Sequence, residues 1–420
     1  MKLSLPVSIF SILILSACAG EGYADNGLTG EKSSNENTDE PSSTSSDENS
    51  TPKKDKLETD TFAQIIIKDL ESFKHLNQEK LSVSQSYNRI ENKPISVTQH
   101  GQKITNMIIF ANRNDNCGID INGYSDVNIS NVTIYHANIG VCANNAKGLK
   151  INGLKLVSLA APTTGPHCPR SSSDGLNTEE CWGQIGQPAD SRLGISLKNS
   201  PNTKITHISS FQAATGVYAI NSPNTKISKI RCFDMRGPFP RGQCVQFNRS
   251  SDSSINTFYA KNIYNQSHSE DNINAYLSDN IVVKNGLIDG NWSQHGVGVI
   301  ADKGSDNMLV HDVDFLHIST SAVNVWSNNE SETGKNFKAS KLRVKDTQCF
   351  SRKNSTPSTG GLIIAAQPSA VNPIFSDIKW YNHCRPSTNW CLPGQSCRTN
   401  SSGSLINFHQ EDFSTRWTSE

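Results

Sequence analysis

The sequence predicts an all-β fold, a right-handed parallel β-helix, and three observations carry the prediction. Residues recur with a spacing of 22, the recurring runs alternate apolar and polar side chains over three to five positions, and Asn/Ser turns separate the runs. A shift of 22 residues carries Gly118 onto Gly140, Val127 onto Leu149, Ile129 onto Ile151, Val132 onto Leu154 and Ile134 onto Leu156. Further on, the segment from Asn199 to Ile205 recurs letter for letter from Asn221 to Ile227, and Gly194 falls on Gly216. Helical repeats need periods of roughly 33 or more, and the Leu/Asn frame of a leucine-rich repeat is absent. Each turn of chain therefore reads as one coil of roughly 22–28 residues. Its inward Ile, Val and Leu stack on the same positions of the next coil, and its strands pair in parallel about 4.8 Å apart. Asn and Ser suit the bends and can stack as ladders. The usual bias of parallel connections makes the coil right-handed.

The N-terminal elements are of a different kind. Lys2 precedes the short apolar run Leu3 to Leu15, which is too short to span a bilayer and ends in small residues. It closes on Leu15-Ser16-Ala17-Cys18-Ala19. Residues 1–17 read as an export signal, and the segment resembles the lipobox of bacterial lipoproteins. That resemblance implies lipidation of Cys18, a lipid anchor in a membrane and, with Ala19 next, an outer-membrane address. The alternative is an ordinary signal peptide with a chance Cys. Residues 18–60 are Ser, Thr, Asn, Glu, Asp, Gly and Lys with almost no large apolar side chains. Such a stretch cannot offset its ordering entropy and is expected to be a disordered tether. Residues 61–94 are expected to cap the coil, with a short helix over Phe62, Ile65, Ile66, Ile67, Leu70 and Phe73. The β-helix is expected over 95–410, with a tail at 411–420.

Charge and cysteine narrow the classes of function. The 39 basic and 39 acidic side chains cancel, which argues against nucleic acid as the partner. Removing Cys18 from the 11 cysteines leaves an even number in an exported chain, so disulfides are expected. Cys168 and Cys181 bracket a Pro/Ser/Gly-rich insertion from Pro162 to Asp190, and Cys232 and Cys244 bracket another loop. No Cys/His spacing marks a zinc site.

A filled coil binds ligands on its outer face, and alternation locates that face. With Val245, Ile273, Val297 and Val323 set inward, Gln246, Asn274, Gly298 and Asn324 point outward in a line, with Tyr276 and Trp326 further along their strands. Gly296 and Gly298 would leave a bare strip for a ligand. Amides, bare backbone and aromatics suit a sugar chain. The same offsets place Gln243, Asp271 and His295 on successive coils, with Arg241 and Glu270 beside them. An acid, an imidazole and a guanidinium within about 10 Å would serve proton transfer at a sugar ring. Glu270 and Asp271 are adjacent, so on a regular strand they face opposite ways and cannot form a simple carboxylate pair.

The repeat over roughly residues 95–410 resembles that of the pectin-lyase-like superfamily of right-handed parallel β-helices. Ser269 to Asn274, followed by Gln294-His295-Gly296-Val297-Gly298, resembles the paired-acid and Gly-His-Gly segments of polygalacturonases. The resemblance matches Glu270 and Asp271 to the acids and His295 to the histidine. The upstream acid segment has no counterpart in register, since Asn177-Thr178-Glu179 lies in the insertion, and the downstream Arg-x-Lys is absent. The run from Arg236 to Gln243, then Glu270 to Asn274, then Gly296 and Gly298, resembles bacterial right-handed β-helix repeat proteins of undefined activity more closely. Lyases of this fold use Arg or Lys as base, which makes Arg241 the candidate here. The expectation is a monomeric, exported enzyme, lyase or hydrolase, acting on an extracellular polysaccharide. Its catalytic candidates are Asp271, His295, Glu270 and Arg241. Substrate would meet Gln243, Gln246, Asn274, Tyr276, Asn324 and Trp326. No cofactor is required, although Asp271, Asp289 and Glu270 could contribute to a Ca²⁺ site. The rival expectation is a non-catalytic glycan-binding or adhesive surface lipoprotein.

Overall fold

The computed structural model describes residues 87–112, 114–159, 192–237, 241–263, 267, 269–291, 296–318, 321–327, 332, 334–345, 362–366, 369–381 and 404–410. The expected leader, Cys18, the tether, the capping helix, Cys168, Cys181 and the insertion around them, and His295 lie outside these residues.

The chain alternates between two parallel sheets and winds a right-handed parallel β-helix. A major sheet of 12 strands begins at Arg89–Glu91 and Lys103–Ala111 and ends at Ile374–Tyr381 and Ser404–Gln410. A minor sheet of 10 strands runs from Ile95–Ser96 through Cys117–Asn122, Ile139–Asn144 and Ile195–Lys198 to Leu362–Ala366. Every pairing of the described strands joins neighbours one coil apart in the same direction, so the sheets grow along the axis of the coil.

The repeat inferred from sequence is the observed register. Ile129 pairs with Ile151, Val132 with Leu154 and Ile134 with Leu156, and later Ile205 pairs with Ile227. One inward column runs Ile104, Ile129, Ile151, Ile205, Ile227, Ile255, Val283, Val310, Ala339 and Phe375, each no more than 2% exposed. Burying one such Ile stabilises by about 1.5–3 kcal/mol, and stacking like on like keeps the packing void-free from coil to coil.

Bends are set by residues that tolerate a left-handed backbone. Asn106, Asn131, Gly153, Asn285 and Asp312 interrupt the long strands at φ between 52° and 74°. At the turn entering the major sheet, Asn202, Asn224, Asp252, Asn280, Asn307, Asn336 and Asn372 all have positive φ. Asn and Asp are the non-glycine residues that accept this conformation most readily. Their side chains also link the coils: Asn224 Nδ2 donates to Asn202 Oδ1 at 2.6 Å, Asn280 to Asp252 at 2.8 Å, Asn307 to Asn280 at 3.1 Å and Asn336 to Asn307 at 3.0 Å. Inside the coil a second ladder runs along Ser200, Ser222, Ser250, Ser278 and Ser305. The backbone N–H of each of the first four donates to the Oγ of the next at 2.9 Å.

Two disulfides fall among the described residues. Cys232 and Cys244 are bonded, and both are buried inside the coil, where they tie the major sheet to the minor one. Cys117 and Cys142 join successive minor-sheet strands.

Candidate active site

The outer face of the minor sheet carries the predicted lines of side chains, with one change of register. Val245, Ile273, Val299 and Val323 are the inward equivalents. Val299 therefore replaces Val297, and the strand Val297–Asp302 is set two residues later than its alternation suggested. Val299 and Ala301 face inward, and Val297 repeats their apolar spacing although it takes the place of Asp271, so a slip of two leaves no trace in the pattern. Gly298 is consequently not on the outward line. A Cβ there would meet the Phe315 ring at 2.5 Å and the Ala322 carbonyl oxygen at 2.4 Å, so its absent side chain serves internal packing and opens no ligand strip.

Three lines of side chains result. The deep line is Tyr218, Gln246, Asn274, Ile300 and Asn324. The rim line, two residues further, is Ile220, Asn248, Tyr276, Asp302 and Trp326. The third line enters the strands. Gln243 and Asp271 hold equivalent places there, two residues before inward Val245 and Ile273, and Val297 pairs with Asp271. Val297 thus takes the place expected for His295. The deep line is largely removed from solvent, with Asn274 at 2%, Ile300 at 5% and Asn324 at 9%, whereas Tyr276 and Trp326 are half-buried at the rim.

Of the predicted polar residues, Gln243, Glu270 and Arg241 come together. Thr215 Oγ1 donates to Gln243 Oε1 at 2.8 Å, and Gln243 Nε2 donates to Glu270 Oε2 at 3.1 Å. The Glu270 backbone N–H donates to the Arg241 carbonyl at 3.1 Å. The Arg241 guanidinium lies 4.5 Å from the centroid of the Tyr218 ring and donates to Gln246 Oε1 at 3.3 Å, a cation–π contact that fixes its plane. Asp271 turns to a different partner, accepting from Asn274 Nδ2 at 2.9 Å. The two adjacent acids therefore take separate places.

Asp302 was missed by reading the sequence. It sits between Tyr276 and Trp326 on the rim line and is 6% exposed. Burial raises its carboxyl to about 7, against the opposing pull of the Asn274 side chain and Lys303. One amide thus serves two acids, Asp271 and Asp302, in unlike environments. Such a pair can hold a proton donor and a carboxylate side by side at neutral pH. The serine turn does not find it either: Asn248 and Tyr276 lie two residues before Ser250 and Ser278, whereas Asp302 lies three before Ser305, so aligning on the serines sets the strand off by one.

Cations flank the rim. Lys303 Nζ lies 5.6 Å and the Arg249 guanidinium 6.0 Å from the centroid of the Tyr276 ring. Asp289, the third acid considered for Ca²⁺, stands on the major sheet instead. It accepts from Lys261 at 2.5 Å and contacts His317 at 2.8 Å. Its carboxyl is held below the usual range by His317 and Lys261 despite its burial. It is therefore not a partner of Glu270 and Asp271. Among the described residues no group of three or more His, Cys, Asp or Glu side chains is placed to hold a metal.

No protein-family model matches the chain, and no curated protein matches it. Solved structures do resemble it. The catalytic domain of a GH87 α-1,3-glucanase, in complex with tetrasaccharides, aligns over 76% of this chain and 56% of its own, with 11% identity and a TM-score of 0.49. The surface adhesin PfbA of Streptococcus pneumoniae aligns over 73% of this chain and 76% of its own, with 13% identity and a TM-score of 0.45. The family 28 exopolygalacturonase of Yersinia enterocolitica aligns over 70% and 46%, with 8% identity and a TM-score of 0.43. The chain thus spans about half the length of the two enzymes. At such identities the likeness is one of fold, and fold does not carry activity.

Proposed function

We propose that the outer face of the minor sheet is an active-site groove that hydrolyses an extracellular polysaccharide. The observation that carries this reading is Asp302: a buried carboxyl with its proton retained to about pH 7, between two half-buried aromatic rings and sharing Asn274 with Asp271. Tyr276 and Trp326 would stack on the faces of sugar rings, which present C–H groups. Asp302 would give its proton to the glycosidic oxygen as the C–O bond breaks. Asp271, held as an acceptor by Asn274, would take a proton from the attacking water. Arg241, Gln243, Gln246 and Glu270 form one connected set that would orient the chain on the adjoining coils. The chemistry drawn uses carboxyl groups alone. The leader and Cys18 would export the protein and anchor it by lipid at the outer membrane, where such a substrate is met.

The test is a panel of polysaccharides incubated with the purified chain, reading new reducing ends and the absorbance of unsaturated uronates. Reducing ends without absorbance are expected, with a decline of activity as pH rises through about 7. Asp302→Asn should lower kcat by about 10²–10⁴ with binding retained. Absorbance would make the protein a lyase and remove Asp302 from the acid role. Affinity with no product would turn the reading toward an adhesin that uses the same groove.

A further inference from the structure

Among the described residues, the deep line contains acceptors that meet no donor. Asn274 Nδ2 faces the Asp271 carboxylate, which can only accept, so its Oδ1 is the atom left over. That oxygen is buried and has no partner among the described residues, and the same is true of Asn324 Oδ1. Asn274 and Asn324 are both more than nine-tenths buried, and their register places them on the outward side of the sheet. A buried acceptor without a donor is destabilising, and a ligand's N–H or O–H would remove that cost. Between them on the same line stands Ile300, an aliphatic side chain pointing outward from a sheet whose other outward neighbours here are amides. The pattern is acceptor, aliphatic, acceptor, with the outer two about 10 Å apart.

Plain hydroxyls would satisfy the two oxygens, but they would set polar groups against Ile300. An acetamido group meets all three needs. Its N–H donates to an asparagine oxygen, its methyl packs on Ile300, and its carbonyl accepts from the Asn324 amide, which also carries donors. We infer that Asn274, Ile300 and Asn324 form a subsite for an acetamido group, so that the glycan recognised contains N-acetylated amino sugars. The inference rests on the groove proposed above and names its substrate class. Entry is from the rim, where Tyr276 and Trp326 are half-buried and flank Asp302.

The experiment is calorimetric titration of the Asp302→Asn chain, silenced against turnover, with the tetramer of N-acetylglucosamine and its glucose counterpart. The acetylated tetramer should bind at least about tenfold tighter, the scale on which a lost group matters in a fitted pocket. Ile300→Ala should bring the ratio toward one. Because that variant could lose its fold, an oligomer labelled in its acetyl methyl gives an independent reading. Transfer of magnetisation from that methyl to the Ile300 methyls is expected in the otherwise unaltered chain. Equal affinity for the two tetramers, or absence of that transfer in the bound state, overturns the acetamido subsite. Cleavage of another glycan in the panel alongside either result would leave the groove reading intact. If no glycan is bound or cut, both readings fall.

Discussion

Burial displaces two titratable side chains in opposite directions, and the signs can be followed through to stability. The Asp302 carboxyl lies at about 7 in the folded chain against 3.8 as a free group, so between these values the folded state holds the extra proton. Its contribution therefore makes stability fall as pH rises through that window, by at most about 1.4 kcal/mol per pH unit. His136 is wholly buried and lowered to about 4 from 6.5 by desolvation, although its Nδ1 interacts with the Asn138 carbonyl at 2.7 Å. Between those values the unfolded state holds the extra proton, and stability rises with pH. The two slopes oppose each other up to about pH 6.5, and above it only the Asp302 cost grows. Asp302→Asn should thus leave stability nearly unchanged at pH 4 and raise it by about 1–4 kcal/mol at pH 8. Urea midpoints at pH 4, 6.5 and 8 would show this. A difference that is constant across pH would mean that the carboxyl is not desolvated. Nothing in the sequence signals such a shift, since it depends on what packs over the side chain and not on its neighbours along the chain.

At the scale of the strand, what was legible follows from period two. Gln246, Asn274, Tyr276, Asn324 and Trp326 were placed correctly because their inward partners fix the face. The strand Val297–Asp302 was misplaced because alternation is blind to a slip of two, and this moved Gly298 outward and hid Asp302. Glycine at this corner has its own logic. Gly118, Gly140, Gly194, Gly216 and Gly298 all bring the coil's inner wall against the next strand and the opposite sheet. A Cβ on Gly140 would meet Leu156 at 2.5 Å and the Gly194 carbonyl at 2.6 Å. Cys244 occupies the same corner by forming its bond across the interior to Cys232. Gly298→Ala should therefore destabilise by about 1–3 kcal/mol through overpacking. Phe315→Leu on the same chain should recover only part of it, because the Ala322 carbonyl cannot move aside as the ring can. Full recovery in urea denaturation would place the whole conflict at the ring.

Along the whole molecule, each described coil touches only the coils beside it, so stability is a sum of coil terms and nearest-neighbour interfaces. Apolar columns hold the interfaces everywhere, but the serine ladder adds a polar bond that crosses them inside the wall. Ser278 is its fourth serine and follows the strand Asp271–Tyr276. It accepts from the Ser250 backbone N–H at 2.9 Å, its single hydroxyl hydrogen is shared between the Tyr276 carbonyl at 2.9 Å and the Phe247 carbonyl at 3.2 Å, and it is fully buried. Replacing it by Ala leaves the Ser250 N–H without an acceptor, at a cost of about 1–3 kcal/mol confined to one interface. In a compact globular core that loss would lower the stability of the whole unit together. In a solenoid it should instead divide one cooperative unit into two at the weakened interface. Hydrogen exchange followed by mass spectrometry should then show protection falling first in Val245–Asn248 and Asp271–Tyr276, while Asn128–His136 keeps its parent rate. A uniform loss across all strands would show that the coils fold as one block, and that Asp271 and Asp302 are held by the whole stack and not by the coils that carry them.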